Sequence, residues 1–309
     1  MRRRTLLLGG LCAPLAGLLP RLVHAADAEP HDLMPAFWAA YDSAATSNDR
    51  VAALEAGFFA PHRALYRDAG LDPTRERIAR WLPAFDAIAG DVRRLGTTFP
   101  ASYARHARHF REHFPDFDRA LAPVYLLPSL FAFDGHLQPA GGRLPLFIGP
   151  DGIVRYHGAG ADLSVFLDHE SFHLYQAQVN PDLSLDEAPP VYAGLWIEGA
   201  ATWVSERLNP GAPLLHVLLD DPALAAADAA MLRGLAAAML AALDSTADDD
   251  MTRFFSAGYN GPGPARGGYL VGLHVARAIG ADMPLAQLPR IPRAQLRGLV
   301  REELVRLAG

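Results

Sequence analysis

The sequence predicts an α+β domain, dominated by helices, with a small sheet in the middle of the chain. Two observations carry this. Apolar residues recur at three- and four-residue spacing through most of the 309 residues. Two short apolar runs near the centre, at 124–127 and 144–148, instead have strand composition and flank a Gly- and Pro-containing turn. No internal repeat stands out. With 50% hydrophobic and 20% charged residues, the balance is that of a globular protein, not of a disordered tail or a collagen-like fibre.

Charge and cysteine narrow the class. All 28 basic residues are arginine, set against 34 acids for a net charge of −6, which argues against a nucleic-acid partner. The arginine bias reads as composition, not function. The one cysteine, Cys12, permits no intramolecular disulfide.

Residues 1–25 read as a secretory signal peptide. Arg2, Arg3 and Arg4 precede an uncharged apolar run over 6–20, and Ala25 offers a small residue at the expected cleavage point. The run is short for a membrane span, so no stable span is expected after cleavage. Arg3, Arg4, Thr5, Leu6 and Leu7 resemble a twin-arginine signal; a general secretory signal with an arginine-rich start is the other reading. Either predicts a periplasmic or secreted protein, and Cys12 leaves with the signal.

The remainder, 26–309, reads as one domain with an N-terminal helical region. Helices are expected at 31–45, where Leu33, Phe37 and Tyr41 share a face, at 49–60, at 73–89 with Pro83 kinking or splitting it, and at 102–114, stopped by Pro115. After the two strands, Pro145 restricts the second to a sheet edge or a strand start. An apolar helix at 162–178 is stopped by Asn180, Pro181 and Asp182, and another at 191–208 by Asn209, Pro210 and Gly211. A short apolar run at 214–219, a long helix at 222–243, a solvated acidic turn at 248–250, a Gly/Pro-rich loop at 258–268 and helices at 269–279 and 293–307 complete the chain.

The motif that carries chemistry is His169-Glu170-Ser171-Phe172-His173. On a helix the two histidines lie one turn apart on one face and can bind a single Zn²⁺, with Glu170 beside them as general base. Random order of this composition yields such a pattern roughly 0.015 times per chain. Two solvent-facing histidines on an amphipathic helix are the alternative. Zinc needs a third ligand. The metzincin pattern is excluded, because Gln176 and Val179 stand where it requires Gly and His. Glu198, a carboxylate within the apolar stretch Trp196 to Ala201, is the first choice, and Gly199 and Ala200 beside it permit close approach of the zinc helix. An exposed Glu198 is the other reading. Glu206 and Glu187 are fallback ligands.

These residues resemble the gluzincin metallopeptidases. The chain is more closely similar to a family of uncharacterised bacterial predicted zinc-dependent proteases, through His113-Phe114-Pro115-Asp116-Phe117, Pro123-Val124-Tyr125, Leu146-Phe147-Ile148-Gly149 and Gly267-Gly268-Tyr269-Leu270-Val271-Gly272. The resemblance spans about residues 110–280. It implies a zincin-like metallopeptidase domain, with the small sheet beside the metal-binding helix, that cleaves peptide bonds in a peptide or protein substrate. Glu170 is then the general base and Tyr269 the oxyanion donor, with Arg266, His274 and Tyr259 as runners-up. A packed aromatic is the other reading of Tyr269. The resemblance also implies that the strand at 144–148 is an edge that pairs with substrate backbone. One departure stands out: thermolysin-like members orient a histidine with an Asp where this chain has Thr202, whose hydroxyl can accept an imidazole N–H.

Three other features are read as structural. His106, His109 and His113 recur among arginines as a solvated basic face, with metal binding as the alternative. The glycines at 261, 263, 267 and 268 make a poor nucleotide loop, because Arg266 interrupts the pattern and no strand precedes it. Trp196 and Trp203 read as core. Two rival functions remain open: a non-catalytic envelope binding or structural protein with a zincin-like fold, and a zinc hydrolase acting on a non-peptide amide or ester.

Overall fold

A computed structural model describes residues 29–185 and 188–309. Residues 1–25, read above as a signal peptide, with Cys12 among them, and the expected fallback ligand Glu187 lie outside these described residues. The architecture is helix-dominated with one small four-stranded sheet, an α+β fold. Among the described residues, no helix is long and apolar enough to cross a membrane. The described residues form two compact units; the first takes in those up to Arg108 together with Asp118–Ala159, and the second takes in His109–Phe117 and those from Gly160 to Gly309.

The first unit begins with a two-residue strand, β1 (His31–Asp32), where a helix was expected. Helix α1 starts only at Met34 (Met34–Asp42), with Pro35 in its first turn, where proline is tolerated. Helix α2 (Ser47–Leu54) follows, capped by Thr46, and runs into a π turn over Glu55–Phe59. Next come α3 (Arg63–Asp68), unforeseen because of its shortness, and α4 (Arg75–Asp86), capped by Thr74 and containing Pro83. Helix α5 (Ala89–His113) is twice as long as expected, since it continues through Pro100. The core of these helices is aromatic: Phe37 meets Phe58 and Phe85 edge-on at 5.5 and 5.4 Å, and Trp81 lies 4.2 Å from Phe85.

The sheet comprises β1, β2 (Val124–Leu126), β3 (Gly135–Leu137) and β4 (Leu146–Ile148), in the order β1-β2-β4-β3. Strand β3 lies in what the sequence reads as a turn; its three residues are too few to show an alternation. Its presence overturns the edge assignment of 144–148. Strand β4 pairs with β2 in parallel and with β3 antiparallel, so both of its sides are taken and no substrate backbone can join it. Of the two roles allowed to Pro145, the strand start is the observed one. Helix α6 (Pro150–His157) closes the unit. Its buried Asp151 accepts hydrogen bonds from Ser129 N (2.7 Å), Phe131 N (3.0 Å) and Trp81 Nε1 (3.1 Å). These hold the turn at Leu130 and Phe131, both in left-handed backbone with φ of 54° and 56°.

The second unit is built on α7 (Leu163–Val179), capped by Asp162 accepting from Ser164 N. Apolar residues on nearly every side of α7 bury it. Helix α8 (Pro181–Ser184) is one turn, begun by the Asn180-Pro181 pair that ends α7. Helix α9 (Val191–Leu208) has its expected bounds, with Trp196 and Trp203 buried. Helix α10 (Leu214–Val217) follows. The helix expected at 222–243 is broken into α11 (Pro222–Ala225) and α12 (Ala229–Ala241), because Asp228 caps a new start by accepting from Met231 N. The acidic residues at 248–250 are not a turn but the first turn of α13 (Asp248–Phe255), where carboxylates favour the helix dipole. Helices α14 (Gly267–Gly280) and α15 (Arg293–Ala308) finish the chain close to expectation.

Candidate metal centre

His169 and His173 lie on α7 and Glu198 on α9, and their ligand atoms converge. The two Nε2 atoms are 3.0 Å apart. Glu198 Oε2 stands 3.5 Å from His169 Nε2 and 3.4 Å from His173 Nε2. A tetrahedral ion with bonds of about 2.0–2.1 Å sets its ligand atoms roughly 3.3–3.4 Å apart, so the triangle has the right size. The donor chemistry fits as well. Facing imidazole lone pairs repel unless a proton or cation lies between them, and Glu198 Oε2 is buried with no hydrogen-bond donor in line. These three residues can therefore hold a metal ion, and among the described residues they are the group of three that can.

Charge in the cluster is coupled. Burial pushes the Glu198 carboxyl up, but the His173 and His169 imidazoles outweigh it and hold the group well below the usual carboxylate range. Burial pushes His173 down, and the Glu198 carboxylate reverses this and raises it. The site attracts positive charge, and it is partly open: His173 and Glu198 keep 14% and 19% of their side-chain surface, against 1% for His169.

Tertiary packing sets this geometry. Gly199 faces Gly272 of α14, where an added Cβ would overlap the Gly272 backbone. The close approach that Gly199 permits is thus to α14, not to the zinc helix expected from the sequence. Asp168, the residue before His169, is buried and accepts from Asn209 Nδ2 at 2.7 Å, tying α7 to the end of α9.

The other candidates divide. Glu170 is buried on α7 beside His169. The Tyr269 ring lies parallel to the His169 imidazole, tilted by 14° with centroids 5.9 Å apart, so it adjoins the centre. Arg266 is buried and bonded to Leu219 O and Asp221 Oδ2, each at 3.3 Å. Tyr259 donates to Pro262 O at 3.0 Å within its own loop. His274 is half-buried, and burial together with Arg277 lowers its pKa. Glu206 is no fallback ligand in this fold: Arg277 takes both its oxygens, at 2.7 and 2.9 Å. Thr202 donates to Glu198 O at 2.8 Å, a bond within α9. The basic histidine face is also corrected in part, since His106 is buried and His109 Nε2 contacts Leu208 O at 3.1 Å.

No family model, curated protein or solved structure matches this chain.

Proposed function

We infer that this chain is a zinc-dependent hydrolase of the gluzincin type with a zincin-like fold, and that its reaction is cleavage of a peptide bond. The observation that carries the reading is the triangle of His169, His173 and Glu198, with edges of 3.0, 3.4 and 3.5 Å, on the two helices the motif anticipates. Zinc, when bound there, supplies a Lewis acid and acidifies water. The chain's own residues do the rest. Glu170 removes a proton from the attacking water as its oxygen bonds to the carbonyl carbon, and later returns that proton to the leaving amine nitrogen as the C–N bond breaks. Tyr269, beside His169, is the proposed hydrogen-bond donor to the oxygen that gains negative charge. The arginine-led apolar start of the sequence supports an exported, periplasmic or secreted setting.

The test is zinc stoichiometry of the purified chain followed by digestion of a peptide library. One zinc per chain, lost in His173→Ala, with peptide cleavage is expected. A chain that takes up no zinc would overturn the reading in favour of a binding protein. Zinc without peptide cleavage would move the activity to another amide or ester.

A further inference from the structure

Three residues of the second unit that carry a side chain occupy left-handed backbone: Leu219 (φ 53°), Asp220 (φ 57°) and Arg266 (φ 54°). That region crowds a Cβ, and such residues persist only where their surroundings hold them. Here two of them, Arg266 and Leu219, are bonded to each other. The Arg266 guanidinium donates to the carbonyl of Leu219, one of the strained residues, and to the Asp221 carboxylate beside the other. Asp220 in turn pairs with His216 Nδ1 at 2.6 Å. Arg266 is itself the N-cap of α14, and its own carbonyl accepts from Tyr269 N at 2.9 Å.

The guanidinium also lies over the Tyr269 ring, 5.8 Å from its centroid, and the ring lies along His169. A chain of contacts thus runs from Asp221 through Arg266 and Tyr269 to a metal ligand. We propose that Arg266 is a positioning residue that latches the 219–221 turn to the head of α14 and so holds the Tyr269 ring against His169, fixing the imidazole for metal. The Arg266 side chain is buried and bonded to a carboxylate and a carbonyl.

The latch rests on the metal-centre reading, and the experiment separates the two. Zinc dissociation constants would be measured by chelator competition on the full chain, with urea midpoints alongside. Arg266→Ala should weaken zinc about tenfold, the scale found when a ligand's supporting residue is lost. Tyr269→Ala should do the same, and the double variant should be no weaker than the weaker single, because both act along one line. Tyr269→Phe keeps the ring and should bind zinc like the wild type. Should Arg266→Ala fail to fold, Asp221→Asn carries the test: Asp221 caps α11 by accepting from Ala223 N and Leu224 N, and Asn can still do so while the charge partner of Arg266 is gone; zinc should weaken roughly threefold. Arg266→Ala and Asp221→Asn both within twofold of wild type, effects that multiply in the double variant, or a lowered urea midpoint with unchanged zinc affinity would overturn the latch and leave the metal centre standing. A wild-type chain without zinc would overturn both.

Discussion

Gly272 and Gly199 meet back to back: a Cβ on Gly272 would stand 2.7 Å from the Gly199 Cα and equally close to Leu195 O. Both obstacles are backbone atoms of α9, so neither can swing aside as a side-chain end would. The residue next to Gly199 is Glu198, so this contact sets the height of the carboxylate that faces the two imidazoles.

Alanine in a helix interior is normally worth about 1 kcal/mol over glycine. At Gly272 the overlap outweighs that gain, and Gly272→Ala should destabilise the chain by about 1–3 kcal/mol, as overpacking does. Gly234, exposed on α12 with nothing within 4 Å, supplies the contrast. Gly234→Ala should stabilise by about 1 kcal/mol. Urea unfolding of both variants checks this, and two shifts of the same sign would refute the packing argument.

Glu170→Gln keeps the shape of the side chain and removes its ability to take a proton. Under the proposed mechanism, peptide cleavage should fall by about 10²- to 10⁴-fold, the range for loss of a general base. Zinc stoichiometry should stay unchanged, since the ligand atoms come from His169, His173 and Glu198. Full activity in this variant would remove the mechanism.

Asp151 gives a pH prediction. Burial raises its carboxyl above the ordinary 3.8, against the pull of the Ser129, Phe131 and Trp81 donors. The folded chain therefore holds this proton at a pH where the unfolded chain has released it. Between 3.8 and the raised value the unfolded state binds fewer protons, so the contribution of Asp151 to stability falls as pH rises, and is level above. Asp151→Asn does not titrate. It should cost about 1–3 kcal/mol, because its amide NH₂ faces donors. The gap between wild type and variant should be largest below 3.8 and narrow with rising pH. A gap that widens instead, in urea titrations across pH, would show that the hydrogen bonds hold the carboxyl down.

Sequence alone determined the helices α7, α9, α14 and α15 and the shared face of His169 and His173; of the longest helix, α5, it showed only the second half. Periodicity set the bounds of α9 to the residue and placed α7, α14 and α15 within a residue or two, because each spans several turns and ends at Pro, Gly or Asn. The spacing of His169 and His173 fixes that they share a face whatever surrounds the helix, since one turn of α-helix does so by geometry. Elements of three to eight residues, such as β3, α3, α6 and α13, carry too few positions for a period to register. Only the tertiary structure decided that Glu198 joins the imidazoles while Glu206 goes to Arg277, that β4 is an inner strand, and that Tyr269 lies along His169. Those outcomes depend on which helix faces meet. That is settled by contacts such as Gly199 against Gly272 and Arg266 against Leu219, between residues far apart in the chain, whose pairing no local pattern encodes.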